Sequence, residues 1–178
     1  MSKAMSAPDY ITPAVRALIG AEAPALEAHH AVEASEARRF HQALMDDARR
    51  YWDAASAARY GGPVAPIGFP VHAMRRGAAE TDPLDALNVG EYDGVDRRLR
   101  PGLPEVQVPL KRLVNGGYEY ELFRYARPGE RIRVRSRYAD IYQRSGRTGP
   151  MVFVVIDDDY ETDDGERLLR STNTIILR

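Results

Sequence analysis

A chain of 178 residues with 26 acidic and 25 basic side chains, net charge −1 and no cysteine is long enough to bury a core without covalent staples. Balanced charge offers no electrostatic footprint for nucleic acid or an anionic membrane. The absence of thiols removes disulfides, thiolate metal sites and a cysteine nucleophile, and suits a reducing cytosol.

The N-terminus, MSKAMSAPDY, lacks the apolar core of a signal peptide, and no apolar run approaches a membrane span. The expectation is a cytoplasmic chain with a disordered stretch 1–10 and a single domain over 11–178. Thr12-Pro13 opens a short helix whose apolar residues are Val15, Leu18 and Ile19, and Gly20 stops it. Residues 25–34, ALEAHHAVEA, read as an edge strand with Leu26 and Val32 as its strongest members.

Ser35 is the expected N-cap of the next helix. There Ala37, Phe40 and Leu44 are spaced for one buried face, and Arg38, Arg39, His41 and Gln42 look to water. The pattern degrades at Asp46-Asp47, so 46–53, DDARRYWD, reads as an irregular bend, followed by a short alanine-rich helix over 53–59. Gly61-Gly62-Pro63 breaks that helix and VAPIGF, 64–69, forms an apolar loop. Residues 67–76 start a further helix, with Phe69, Val71, His72 and Met74 too apolar all round for a surface position. It is the element expected to lie against a sheet. Residues 77–108, full of Pro and Gly breakers, read as a long irregular loop.

From 116 onward the period is two. In RIRVRSRYADIY, 131–142, Ile132, Val134 and Tyr138 fall on one face and Arg131, Arg133, Arg135 and Arg137 on the other. The runs GYEYELFRYA, MVFVVIDDDY and LLRSTNTIIL are similar, separated by turn signals at Arg127-Pro128-Gly129-Glu130, Ser145-Gly146 and Asp163-Asp164-Gly165. Lys111 to Val114 starts this sheet and Asn115-Gly116-Gly117 is expected to turn it into the meander. A sheet with one apolar face needs a cover from the N-terminal half, which makes the fold α+β. The arginine row reads as a solvated face and Asp157-Asp158-Asp159 as a solvated acidic patch. His29 and His30 read as structural or exposed, and four histidines at no ligand spacing predict no metal site.

Strand, helix, bend, buried helix and antiparallel meander, in that order, resemble the hot-dog fold, an antiparallel sheet wrapped around a central helix. More narrowly, the sequence is similar to the MaoC-like dehydratase family, in its branch with a FAS1-like N-terminal dehydratase domain. The stretches that carry the likeness are ITPAVRALIG (11–20), RRFHQAL (38–44), ARYGGPVAPIGF (58–69), NGGYEYELFRYARPGERI (115–132) and the closing RSTNTIILR. The family motif has the form Gly-Asp-x-Asn-Pro-x-His, whose aspartate and histidine activate the water that adds across a 2-enoyl thioester. The matching window here is MDDARRY, 45–51. Met45 stands at the glycine, Asp46 matches the aspartate, Ala48 and Arg49 replace asparagine and proline, and Tyr51 replaces the histidine.

The resemblance makes Asp46 and Tyr51 a degenerate catalytic pair, with His72 as a further candidate. A phenol of pKa about 10 is a poor general base at neutral pH. It also implies a substrate-binding wall of Trp52, Tyr60, Ile67, Phe69, Val71 and Met74, with backbone N–H groups of the Ala65-Pro66-Gly68 loop aimed at a thioester carbonyl. Arg49 and Arg50 are the candidates for carrier phosphates. The implied substrate is an acyl-CoA or acyl carrier protein thioester of fatty acid or steroid metabolism, with no cofactor. The implied role is a non-catalytic, channel-shaping subunit paired with a catalytic MaoC-like chain in a heterodimer or heterotetramer. A stand-alone homodimeric hydratase and a non-enzymatic acyl-thioester binding protein are the alternatives.

Overall fold

The computed structural model describes residues 8–77, 80, 85, 90, 98–147 and 149–178. Most of the expected disordered N-terminus and a large part of the expected 77–108 loop therefore lie outside the described residues. Five antiparallel strands form one sheet: β1 (Leu26–Glu27), β2 (Leu113–Leu122), β3 (Ile132–Gly146), β4 (Gly149–Thr162) and β5 (Arg167–Leu177), in spatial order β1-β3-β4-β5-β2. The period-two reading holds in β3, where Ile132, Val134 and Tyr138 are buried. Its arginines face outward onto a solvated face, as expected, and pair there with acidic side chains across the sheet. Arg137 donates to Asp157 at 2.7 Å and Arg135 to Glu161 at 3.3 Å. The acidic run is likewise no solvated patch. Asp157 and Asp158 are buried, because alternation sends Asp158 to the inner face and puts Asp157 and Asp159 among the outer arginines.

Asn115-Gly116-Gly117 is a β-bulge inside β2, not a turn into it. A side chain at Gly116 would stand 2.9 Å from the Thr174 carbonyl oxygen, and Gly117 sits at φ +125°, so both positions need glycine. The Asn115 side chain accepts from the Gly117 N–H at 3.0 Å and from Asn173 Nδ2 at 3.0 Å, locking the bulge to β5.

The helices are shorter than their patterns. In α1 (Pro13–Arg16) the Thr12 hydroxyl accepts from the Val15 N–H and Val15 is buried, as read from the sequence. The expected 25–34 strand shrinks to β1, although Ala28 and Val32 still donate to the Ile132 and Glu130 carbonyls. Helix α2 (Ala34–Ala43) begins one residue before the expected Ser35 cap, with Glu33 at the N-cap position and no capping side chain. Its buried residues are Ala37 and His41, four apart, while Leu44 lies beyond the helix and is exposed. The 53–59 segment is a series of turns ending in a 3-10 turn, Ala58–Tyr60. The last helix, α3 (Phe69–Ala73), stops short of residue 76, and the Arg75 and Arg76 side chains beyond it reach Glu36 and the Glu80 carbonyl.

Two apolar clusters share the inner face. One, around Ile11, Val15, Leu103, Val106 and Val108, covers Tyr138, Val152, Val154, Ile156, Ile175 and Leu177. The other, around Ala28, Val32, Ala37, Ala65 and Phe69, covers Ile132, Val134, Tyr160, Leu168 and Leu169, with Val71 and Met74 packed against it. Between them runs a polar seam. Ser136, Asp158 and Ser171 stand side by side on β3, β4 and β5. Arg100 enters from the chain before β2 and grips both Asp158 oxygens, with its Nη2 2.8 Å from Oδ2.

Candidate functional site

The degenerate motif occupies the turn that ends α2. Asp46 N–H donates to the His41 carbonyl and Met45 N–H to the Gln42 carbonyl, both at 3.0 Å. That pair of bonds is the Schellman ending, which places a left-handed residue just past the helix. Met45 holds that place at φ +54°, the position at which the family motif has glycine.

The turn delivers Asp46 to Tyr51, which lies in a 3-10 turn, Arg49–Tyr51. The Tyr51 hydroxyl donates to Asp46 Oδ2 at 2.8 Å and the Ala48 N–H donates to Oδ1 at 3.1 Å. The Tyr51 hydroxyl, followed by that N–H, holds the Asp46 carboxyl below its usual range. Burial, reinforced by the bond to Asp46, pushes the Tyr51 phenol up to about 12. The pair is a carboxylate that does not protonate and a phenol that does not ionise near neutrality. Arg38, His41, Gln42, Met45, Asp47 and Trp52 complete a depression of about 540 Å³ around Asp46.

His41 is the site residue that the sequence reading missed. Its ring stacks on Tyr51, with centroids 5.5 Å apart, and it is buried rather than solvated. Nδ1 lies 3.0 Å from the Asp46 carbonyl oxygen. A carbonyl only accepts, so Nδ1 carries the proton. Nε2 is buried with no partner among the described residues. Its spacing of four from Ala37 and five from Asp46 was the available signal.

Of the other expected site residues, Trp52 and Arg50 lie beside this pair and the rest lie apart from it. His72 sits between the Phe40 and Phe69 rings, its Nε2 3.7 Å from Glu36, which also pairs with Arg75 at 2.9 Å. It borders a cleft of about 250 Å³ with His29, His30 and Phe69, which excludes Asp46. Tyr60 lines a third depression, of about 490 Å³, with Arg59, Arg124, Tyr125 and Arg127. The Tyr60 phenol is raised by desolvation but brought below its ordinary range by hydrogen bonds from Arg59 and Arg50. Arg50 is wedged between the Tyr51 and Tyr125 rings, and Arg49 lies over the exposed Trp52 ring at 5.7 Å. Val71 and Met74 border the polar seam instead.

In the Ala65–Gly68 loop, Ala65 and Pro66 are buried and Ile67 is exposed. The Val64, Ala65 and Phe69 N–H groups are committed to the Arg50, Ala126 and Pro66 carbonyls, whereas those of Ile67 and Gly68 find no backbone acceptor among the described residues. Also among these residues, no group of His, Asp or Glu side chains converges as a metal site, and no helix is long and apolar enough to cross a membrane.

The family model for the FAS1-like, dehydratase domain region matches residues 17–171. The chain belongs to the FAS1-like dehydratase domain region family, and its fold is the hot-dog. Solved members of this fold superpose over most of its length. The ChsH1-ChsH2 complex from Mycobacterium tuberculosis matches with TM-score 0.66 at 19% identity, covering 92% of this chain and 86% of that one. A MaoC-like dehydratase from Rhodospirillum rubrum matches with TM-score 0.58 at 19% identity, covering 89% and 91%. The HadBC (3R-hydroxyacyl-ACP dehydratase) complex from Mycobacterium tuberculosis matches with TM-score 0.57 at 17% identity, covering 89% and 96%. No curated protein sequence matches the chain.

Proposed function

We propose that this MaoC-like chain is the non-catalytic subunit of a cytoplasmic enoyl thioester hydratase or 3-hydroxyacyl thioester dehydratase, a hot-dog domain over 11–178 that shapes the acyl site of a catalytic MaoC-like partner. The observation that carries this reading is the Tyr51–Asp46 bond. Hydration requires one group to take a proton from water as its oxygen bonds to the β-carbon, while a proton is delivered to the α-carbon. Here the Asp46 carboxylate is tied up by a phenol whose own proton is held to about pH 12, and the Nε2 of the adjacent imidazole is buried.

A partner is supported by β2. The strand pairs with β5 alone among the described residues and is exposed along its length, with Leu113, Val114, Tyr118 and Tyr120 in the open. A long unpaired apolar edge is an aggregation hazard unless another chain covers it. The ChsH1-ChsH2 and HadBC structures are themselves complexes. The carrier's phosphates would meet Arg49 at the rim; Arg50, enclosed by tyrosines, supports the bend instead.

The test is a hydration assay on a 2-enoyl-CoA, with the chain alone and with a co-expressed MaoC-like chain that has an intact Asp/His pair. The chain alone is expected to show no turnover above buffer. In the complex, Asp46→Asn leaves kcat within about twofold, and loss of the partner's aspartate abolishes it. Turnover by this chain alone that disappears in Asp46→Asn would establish the stand-alone hydratase instead.

A further inference from the structure

The segment after the motif ends in the 3-10 turn Ala58–Tyr60, which Gly61 closes in the left-handed region at φ +81°. The Ala65 N–H donates to the Ala126 carbonyl at 2.8 Å, and that bond sets the turn against the chain leaving β2. Tyr60 meets Tyr125 edge-on there, with ring centroids 5.4 Å apart. Between the two stretches lies the depression of about 490 Å³, whose lining holds Arg59, Arg124 and Arg127 and no acidic residue.

Charge around it is not balanced. Glu130 pairs with Arg124 and Arg127, and Glu166 pairs with Arg124 again. Arg50 and Arg59 have no carboxylate partner among the described residues, and both donate instead to the Tyr60 hydroxyl. Asp46 acts on Arg50 only through space, because its oxygens are taken by Tyr51 and the Ala48 N–H. Four guanidiniums thus face two carboxylates, and the two uncompensated ones share one neutral oxygen.

A phenol accepts through its lone pairs and donates one proton. With Arg50 and Arg59 supplying the bonds it accepts, the Tyr60 O–H finds no acceptor among the described residues. Arg127 spends its Nε on Glu130 Oε1 at 3.1 Å. Its Nη1 lies against the turn, 3.1 Å from where a side chain at Gly61 would begin, and neither Nη group donates to a described residue. The depression is therefore bordered by one hydroxyl and two guanidiniums with donors to spare.

We propose that Arg59, Tyr60 and Arg127 form a binding site for a phosphate-class dianion, with Arg50, which does not line the depression, fixing the Tyr60 hydroxyl. The inference goes beyond the hydratase reading and does not depend on it. Two cations on one neutral oxygen repel each other, and a negatively charged acceptor between them removes that cost. The surplus of two positive charges favours a dianion over a carboxylate, since Coulomb attraction scales with the charge of the ligand. Guanidinium forks suit phosphate oxygens through paired N–H···O bonds, and a hydroxyl polarised by two cations adds a further strong donor. Val64 and the two tyrosine rings leave room beside the phosphate for an organic group, so a free phosphate ion and a phosphate monoester share this chemistry.

The experiment titrates inorganic phosphate, phenyl phosphate and benzoate into the full chain at constant ionic strength and about pH 8, where phosphate monoesters are dianionic. Amide NMR shifts are followed at Arg59, Tyr60, Gly61 and Arg127. Both phosphates are expected to saturate with shifts confined to this region, and benzoate to bind at least about tenfold more weakly. Arg59→Gln weakens phosphate binding at least about tenfold and Tyr60→Phe at least about threefold, whereas Arg16→Gln, the same charge loss on α1, leaves it within about twofold. Tighter binding of phenyl phosphate than of inorganic phosphate assigns an ester, equal affinity assigns the free ion, and either upholds the site. No saturable shift with either phosphate, or benzoate binding as tightly, overturns the proposal. So does an affinity that Tyr60→Phe leaves intact, or one that Arg59→Gln and Arg16→Gln lower equally.

Discussion

Arg100→Leu is the sharpest test of how the seam is held. Asp158 has a side chain 3% exposed and Arg100 one 21% exposed, with three N···O contacts between 2.8 and 3.2 Å. Removing the guanidinium leaves a carboxylate inside the sheet with the Ser136 hydroxyl as its remaining described donor. Breaking a buried ion pair from one side costs about 3–5 kcal/mol, against about 0–1 for an exposed pair. For a chain of this size that lowers the melting temperature by roughly 6–20 °C. Urea unfolding followed by far-ultraviolet circular dichroism measures it. The double variant Arg100→Leu/Asp158→Asn removes the stranded charge as well and is expected to recover at least about half of the loss. A cost below about 1 kcal/mol for the single variant, or no recovery in the double, would refute the view that the seam rests on a desolvated ion pair.

Two further outcomes concern the motif turn. Met45→Gly relieves a left-handed residue that is 91% exposed. Left-handed strain of about 1–2 kcal/mol, less the extra unfolded-state freedom of glycine, predicts a net gain of about 0.5–1 kcal/mol, read as a higher urea midpoint. Tyr51→Phe removes the main group holding the Asp46 carboxyl down. Its titration midpoint, followed by carboxyl-carbon NMR, is expected to rise toward the ordinary aspartate range. The sign follows from linkage: a depressed folded pKa gives stability that is present above the unfolded value and lost as pH falls through the folded one. The variant should lose that acid-side dependence, and an unchanged midpoint would contradict the Tyr51 assignment.

The strands were legible because period-two alternation is a local signal: Ile132, Val134 and Tyr138 face inward as the sequence alone indicates. So was α1, whose Thr12 cap and Pro13 act within one turn. The misses share a cause, which is pairing at long range. Asn-Gly reads as a hairpin turn, but Asn115 is held by Asn173, 58 residues away, and becomes a bulge. Three consecutive aspartates read as a wet patch until Arg100, also 58 residues distant, neutralises the middle one. Around Asp46, the irregular bend and the tyrosine at position 51 were visible in the sequence. His41 was not, because the apparent apolar stripe through Leu44 runs past the end of α2 and misassigns its inward face.

The division of the inner face into two apolar patches bears on how the molecule yields. A band of charge cannot transmit close packing from one side to the other, so each half is steadied by its own lid and not by its neighbour's. If α3 were lifted away, the floor beneath Phe69 would open while Ile11, Val15 and Val106 kept their grip on the opposite end. One continuous ribbon of strands thus carries two separately roofed rooms, each closed by residues of its own.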